Sequence, residues 1–362
     1  MPAYTFVEQP DVLASRLLES GQVGLDTEFM REKTFLSQLC LVQLALEDEI
    51  FCIDPLVPAP LAGFWEALAQ NSWVVHSGRQ DIEVLFQTAK VMPASLFDTQ
   101  IAAALLGFQP QIGYAALVRE LFDVELPKSH TRANWARRPL PAEYLEYAAE
   151  DVEYLLPAAA QLAERLDAAG RLEWARSDSA ALLEPALYEI RPETAIERVK
   201  AARNFRGARR VAATRLAAWR ERQALEKNLP RQWIIKDNVL AEIAYKLPET
   251  RSDLAQIGDL PPRVARRIAA DVLEIVATTG EPPDATVDRQ ARRSGPLDEN
   301  DKSVLSSMQS IVAECAADLG IAAETIASKK ELSAVLLEGN RDSRVFSGWR
   351  RQLVGDRLAE LL

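Results

Sequence analysis

The sequence predicts an α/β domain followed by all-α modules. Three observations carry that prediction. Strand-like segments crowd the first 80 residues, helical periodicity then alternates with loops, and no strand pattern follows residue 172.

Residues 22–29 (QVGLDTEF) alternate in polarity, 39–46 (LCLVQLAL) is a nearly continuous apolar run, and 49–53 (EIFCI) follows after a short polar link. These read as three strands, with a fourth at SWVVH, ending at His76. Helical patterns cover 79–89, 98–106, 114–122 and 141–168. Further on, Leu240, Ile243, Ala244 and Leu247 share one face of a helix over 237–247, with Asp237 as its expected N-cap. Val264, Ile268, Val272 and Ile275 mark another helix over 262–279. The stretch 280–297 (GEPPDATVDRQARRSGPL) reads as a linker from its glycine, proline and charge. Trp219, Ile234 and Leu240 recur at the same spacing as Ile311, Ile326 and Leu332, which suggests two copies of one helical module. The expected layout is a first domain over 1–175, a connecting basic segment over 176–204, a helical domain over 205–283, a linker over 284–297 and a second helical domain over 298–362.

The chain has 362 residues, 48% hydrophobic and 26% charged, the composition of an ordinary globular protein. No apolar run is long enough to span a bilayer, and MPAYTFVEQPD does not read as a signal peptide. Three scattered cysteines, Cys40, Cys52 and Cys315, lie in apolar segments and read as reduced core thiols of a cytoplasmic protein. With only His76 and His130 besides, a structural zinc site is not supported, so any metal must be held by carboxylates, which suits Mg²⁺ or Mn²⁺. The net charge of −11 argues against nucleic acid binding, but its distribution argues for it. Between Arg191 and Arg231, twelve Lys/Arg face four Glu, a net of +8.

Four acids stand out. Asp26 and Glu28 sit two apart on a strand, so both leave the same face, where like charge and desolvation penalise them unless a cation is present. Asp81 opens the helix after VVHSG, and Tyr147 and Asp151 lie four apart on the helix of EYLEYAAEDVEYLL. Taken singly, Asp81 reads as a helix-dipole partner and Asp151 as one of several solvated acids on its helix.

Taken in order, Asp-x-Glu on a strand, an Asp opening a later helix and Tyr-x-x-x-Asp on a long helix resemble the three motifs of the DEDDy exonucleases. LDTEF with QLCLVQLA, VVHSGRQDIEVL, LFDTQIAAALLG, NWARRPL and YAAEDVEYLL resemble the ribonuclease D family more closely, over about the first 170 residues. The segments WRERQALEKNLPRQWIIKDNVLAEIAYKLPET and LAQIGDLPPRV are similar to the HRDC domain, and 298–362 resembles that family's second, divergent helical domain. No GxxxxGK[ST] phosphate loop supports a helicase motor.

The resemblance implies an RNase H-like exonuclease domain, a mixed sheet flanked by helices, with two HRDC-type domains behind it. It also implies two divalent ions, Mg²⁺ or Mn²⁺, on Asp26, Glu28, Asp81 and Asp151, with Tyr147 orienting the attacking water. The implied activity is 3′→5′ removal of 5′-mononucleotides from RNA with a free 3′ end. Precursors of tRNA and other stable RNAs are the implied substrates, and the implied state is a monomer. Arg31, Lys33, Lys128, Arg132, Arg206, Arg209 and Arg210 are expected phosphate contacts by position and charge, with ordinary surface cations as the alternative. Asp98 is expected to cap a helix, His76 and Trp135 to pack or hydrogen-bond structurally, and Trp219 and Trp233 to lie in the helical-module core rather than stack on bases. Two other functions stay open at this point: a DNA 3′→5′ exonuclease in repair, and a non-catalytic RNA-binding protein.

Overall fold

The structure, a computed structural model, describes residues 3–127, 133–280 and 298–362. Its chain forms two compact units, Met1–Met30 with Ser37–Tyr188 and Leu297–Leu362, and Arg31–Leu36 with Glu189–Pro296.

The first unit opens with β1 (Tyr4–Val7), α1 (Ala14–Ser20), β2 (Gln22–Met30), β3 (Gln38–Leu46), β4 (Glu49–Ile53), α2 (Ala62–Ala69), β5 (Ser72–Val75), α3 (Arg79–Ala89) and β6 (Ser95–Asp98). The six strands form one mixed sheet in the order β1-β4-β3-β2-β5-β6. The β2–β3 and β3–β4 pairs are antiparallel and the rest are parallel. β3 is buried from its second residue onward, which explains its continuous apolar run. The two sheet faces feed two cores. Val23, Leu25, Val42, Leu44 and Phe51 pack with Ile82 and Leu85 of α3. Leu41, Ala45, Ile50 and Cys52 pack on the other side, under Leu145, Ala148 and Val152.

Those last three belong to α6 (Ala142–Glu153), which follows α4 (Thr99–Leu105) and α5 (Tyr114–Phe122) and precedes α7 (Leu155–Ala168) and α8 (Leu172–Ala180). The single helix expected over 141–168 is therefore two. Pro157 has no N–H to continue the ladder, and the N–H of Tyr154 at the break is taken by the Tyr114 hydroxyl at 2.9 Å. β1, α1, α2 and β6 lie outside the expected elements; each is short, with too few periods to show in the sequence.

The second unit contains α9 (Gly207–Glu226), α10 (Arg231–Ile234), α11 (Asp237–Lys246), α12 (Arg251–Ala255) and α13 (Pro262–Ala277). Trp219 is in its core, with the indole N–H donating to Asp271 at 2.9 Å. Trp233 is not: it is 56% exposed, because α10 has one turn and buries Ile234 instead. Asp237 is the first residue of α11, after an N-cap at Lys236, and its carboxylate takes the buried Arg220 at 2.6 Å. Residues Arg31–Leu36 enter this unit through Phe35, which is 3% exposed in its core. Asn228 Oδ1 accepts the Phe35 and Leu36 N–H groups at 3.1 and 3.0 Å, and Arg231 covers the Phe35 ring at 4.4 Å.

The last block starts with α14 (Glu299–Leu319), fixed by a capping box between Asp298 and Asp301, then α15 (Ala323–Ile326) and α16 (Lys329–Glu338). The sequence sets 298–362 apart as a domain; in the fold its Leu305, Met308 and Val312 share one core with Ala102 and Leu105 of α4 and Leu162 and Leu166 of α7. An apolar helix face shows that burial is needed, but not against what. Arg350, 3% exposed, completes the junction by reaching both oxygens of Asp178 at 2.6 and 2.7 Å, beside the stacked rings of Trp174 and Trp349.

Candidate active site

β2 delivers Asp26 and Glu28 to the face covered by α6, as their spacing requires. α6 brings Asp151 to the same place, and ligand oxygens of Asp26, Glu28 and Asp151 lie within 4.8 Å of one another. Glu28 stands at a β-bulge: it pairs with Leu41 while Phe29 pairs with Leu39, leaving Cys40 as the extra residue. The Cys40 carbonyl accepts Arg138 at 2.7 Å. Arg138 also grips both oxygens of the buried Asp54, at 2.5 and 2.7 Å, and the Trp135 carbonyl at 2.7 Å. Trp135 in turn lies 6.2 Å from the Tyr147 ring and 5.2 Å from that of Tyr144. The segment NWARRPL thus buttresses Tyr147, whose hydroxyl hydrogen-bonds the Asp151 carboxylate. Arg138 and Asp54 have no role in the sequence reading, because an Arg–Asp pair 84 residues apart leaves no local pattern.

Asp81 stands outside the group of three. Its Oδ1 accepts the Thr27 N–H at 3.1 Å and the Thr27 hydroxyl at 2.5 Å, which ties the start of α3 to the strand that carries Asp26 and Glu28. Its charge still reaches the cluster, being the largest electrostatic influence on Asp26 after burial. Asp98 holds the turn before α3 from behind. It accepts Gln100 N–H at 2.9 Å as the expected cap of α4, and also Ser77 and Gly78 N–H groups at 3.0 Å each. Ser77 sits at φ 59°, and a Cβ on Gly78 would come within 2.4 Å of Val75 Cγ2, so this turn is built around one glycine.

Burial comes first among the causes that hold these acids toward their protonated forms, and mutual repulsion adds to it. Asp26 is raised well above the usual carboxylate range, Glu28 to about 8 and Asp151 to about 7. Burial lifts Asp81 to about 6 against the opposing pull of its Thr27 bonds. Burial and the same acids push the Tyr147 hydroxyl up, so it stays a proton donor at neutral pH. An oxygen-only donor set with this much uncompensated charge fits a hard divalent cation.

Asp26, Glu28, Tyr147 and Asp151 line a cleft of about 220 Å³ with His76, Tyr114 and Leu155. His76 is structural in the sense the sequence suggests. Its Nδ1 meets the Thr99 hydroxyl and its Nε2 the Ile112 carbonyl, both at 2.9 Å, and burial lowers its pKa. Of the expected phosphate contacts, Arg31, Lys33, Arg206 and Arg209 are exposed and Arg210 is half-buried; Lys128 and Arg132 lie outside the described residues. The basic stretch is partly spent on structure: Arg220 pairs with Asp237, and Arg231 grips Glu221 at 2.5 and 2.6 Å.

Residues 4–167 match the 3′-5′ exonuclease family and residues 210–276 the HRDC domain. The chain is 36% identical over 361 residues to the ribonuclease D of Gluconacetobacter diazotrophicus, covering 97% of this chain and 90% of that one. The chain belongs to the ribonuclease D family. It is thereby a 3′→5′ exoribonuclease, with an exonuclease domain followed by an HRDC domain. A second family member, from Acidiphilium cryptum, is 35% identical over 98% of this chain and 92% of its own. Ribonuclease D of Escherichia coli, described as an exoribonuclease involved in structured RNA processing, superposes with a TM-score of 0.86 at 27% identity, covering 99% of this chain and 98% of that one. No helix among the described residues is long and apolar enough to cross a membrane.

Proposed function

We propose that Asp26, Glu28, Asp81 and Asp151 hold two divalent cations, Mg²⁺ or Mn²⁺, and that the enzyme releases 5′-mononucleotides from the 3′ end of tRNA precursors and other stable RNAs. The observation that carries this is the approach of three carboxylates, on β2 and α6, to within 4.8 Å under the Tyr147 hydroxyl. Bound cations supply the charge that ionises an attacking water and stabilises the departing 3′-oxygen. The protein's own part is positioning. Asp26 and Glu28 are fixed by the sheet register, Asp81 by Thr27, and Asp151 by Tyr147. Tyr147 keeps its proton, so its role is to orient the water and the Asp151 carboxylate rather than to act as a base. In the balanced reaction the water oxygen bonds to phosphorus, the phosphorus–O3′ bond breaks, and a proton passes to the leaving oxygen.

Exposed Arg31, Lys33, Arg206 and Arg209, together with Arg210, Lys128 and Arg132, are proposed to hold the RNA backbone. The block 298–362 reads as a second HRDC-like module. Its helices of 21, 4 and 10 residues repeat the 20, 4 and 10 of α9–α11. Three buried free thiols suit the reducing cytoplasm, and the monomer is proposed on the family resemblance.

The test is a 5′-labelled single-stranded RNA with a 3′-hydroxyl, incubated with Mg²⁺ or Mn²⁺ and with EDTA, beside a matched DNA strand. A metal-dependent ladder shortening from the 3′ end of the RNA, absent with Asp26→Asn, is expected. Equal shortening of the DNA would favour a repair nuclease. Binding without shortening would leave an RNA-binding protein.

A further inference from the structure

Gln43 lies at the centre of β3 and is fully buried, yet neither Oε1 nor Nε2 has a hydrogen-bond partner among the described residues. An amide placed so is costly, and an aliphatic side chain of similar volume would suit the surrounding core better. Its neighbours along the same face, Leu41 and Ala45, belong to the apolar cluster under α6. The ladder puts Gln43 directly opposite Asp26 on β2 and directly opposite Cys52 on β4. Cross-strand partners stand about 4.5–5.5 Å apart at Cβ, within reach of a glutamine stem. A carboxylate, an amide and a thiol therefore form one row across three adjacent strands, ending at the proposed metal site.

We propose that Gln43 is a positioning residue: its amide, unpartnered among the described residues, donates N–H to the Asp26 carboxylate once a bound cation holds that group ionised, fixing the orientation in which Asp26 ligates the cation. This rests on the metal-binding reading of Asp26. The chemistry of the row agrees with the direction of the bond. An ionised carboxylate accepts only, so the amide must present its nitrogen to Asp26 and its oxygen toward Cys52. Burial pushes the Cys52 thiol up to about 12, so it stays S–H and can donate to that oxygen; its present acceptor is the Leu145 carbonyl at a long 3.8 Å. The arrangement parallels the general use of an outer hydrogen bond to orient a ligating side chain, whose removal weakens metal affinity about 10–100-fold.

The experiment uses the full chain without RNA and reads Mn²⁺ binding by calorimetry and by thermal shift, for wild type, Gln43→Met and Gln43→Leu. The variants are expected to melt without metal at or above the wild-type temperature, because an unpaired amide is removed, and to bind Mn²⁺ about 10–100-fold more weakly. In turnover they should need correspondingly more Mn²⁺ while KM for RNA at saturating metal stays the same. Unchanged Mn²⁺ affinity in a folded variant overturns the role of Gln43 and leaves the metal-site reading standing. Failure of the wild type to bind Mn²⁺ overturns both. Failure of both variants to fold also overturns the proposal, since the fold would then need the amide, not the site.

Discussion

At the residue scale, the carboxylate cluster costs stability when no cation offsets its charge. Glu28 and Asp151, raised to about 8 and 7, and Asp81, raised to about 6, bind protons more tightly folded than unfolded. Without metal, their contribution to stability therefore falls as pH rises from about 4, where the unfolded groups ionise, to about 8, where the folded ones have done so. Asp26→Asn is expected to raise the metal-free melting temperature at pH 8 more than at pH 5, and Mg²⁺ should raise the wild-type melting temperature at pH 8 while moving the variant little. Thermal melts at both pH values with and without Mg²⁺ check this; a variant that shifts with metal as the wild type does would refute it. Tyr147→Phe keeps the ring against Trp135 and loses only the hydroxyl. It is expected to lower kcat on the order of a hundredfold with KM little changed, measured by steady-state hydrolysis of a short RNA. Strand and helix periods put Asp26 beside Glu28 on β2 and Tyr147 beside Asp151 on α6, but they do not single out Asp151 or Asp81 among the acids; the order of the motifs, in its resemblance to the family, does. Their support is not legible in the sequence. Asp54 and Arg138, and the Asp98 bonds to Ser77 and Gly78, join segments whose meeting only the fold determines.

At the scale of elements, long periodic segments matched the sequence. α3 spans Arg79–Ala89 and α5 Tyr114–Phe122, the bounds their apolar spacing indicates. The mismatches have local causes. Tyr154 interrupts a helix where its N–H finds the Tyr114 hydroxyl, and α10 is too short for an amphipathic period to say which of Trp233 and Ile234 turns inward. The turn before α3 gives a prediction of its own. Asp98→Ala leaves one buried and two part-buried backbone N–H groups without their acceptor and is expected to cost about 3–5 kcal/mol. Chemical denaturation checks the cost. Because the same turn sets the start of the helix bearing Asp81, the folded variant should also lose activity, whereas Asp98→Asn, keeping one acceptor oxygen, should lose less of both.

At the scale of the molecule, the C-terminal block is part of the catalytic unit. Arg350→Ala strands the mostly buried Asp178 carboxylate without its partner and is expected to cost about 3 kcal/mol, seen as a lower melting temperature of the whole unit rather than as early melting of the last 60 or so residues. Removing the charges of Arg206 and Arg209 is expected to flatten the salt dependence of RNA binding, its log–log slope falling by about one for each phosphate no longer neutralised, checked by titrations across salt concentrations.

Phe35 bears on how this protein can be cut. The six residues Arg31–Leu36 follow the strand that carries Asp26 and Glu28, but they fold with Glu189–Pro296. A fragment ending near residue 188 would leave behind an aromatic ring stripped of its core, and two amides stripped of Asn228. Such a fragment is a damaged nuclease rather than an isolated one. A fair excision of the helical module must replace Phe35 with a polar residue in the same gene.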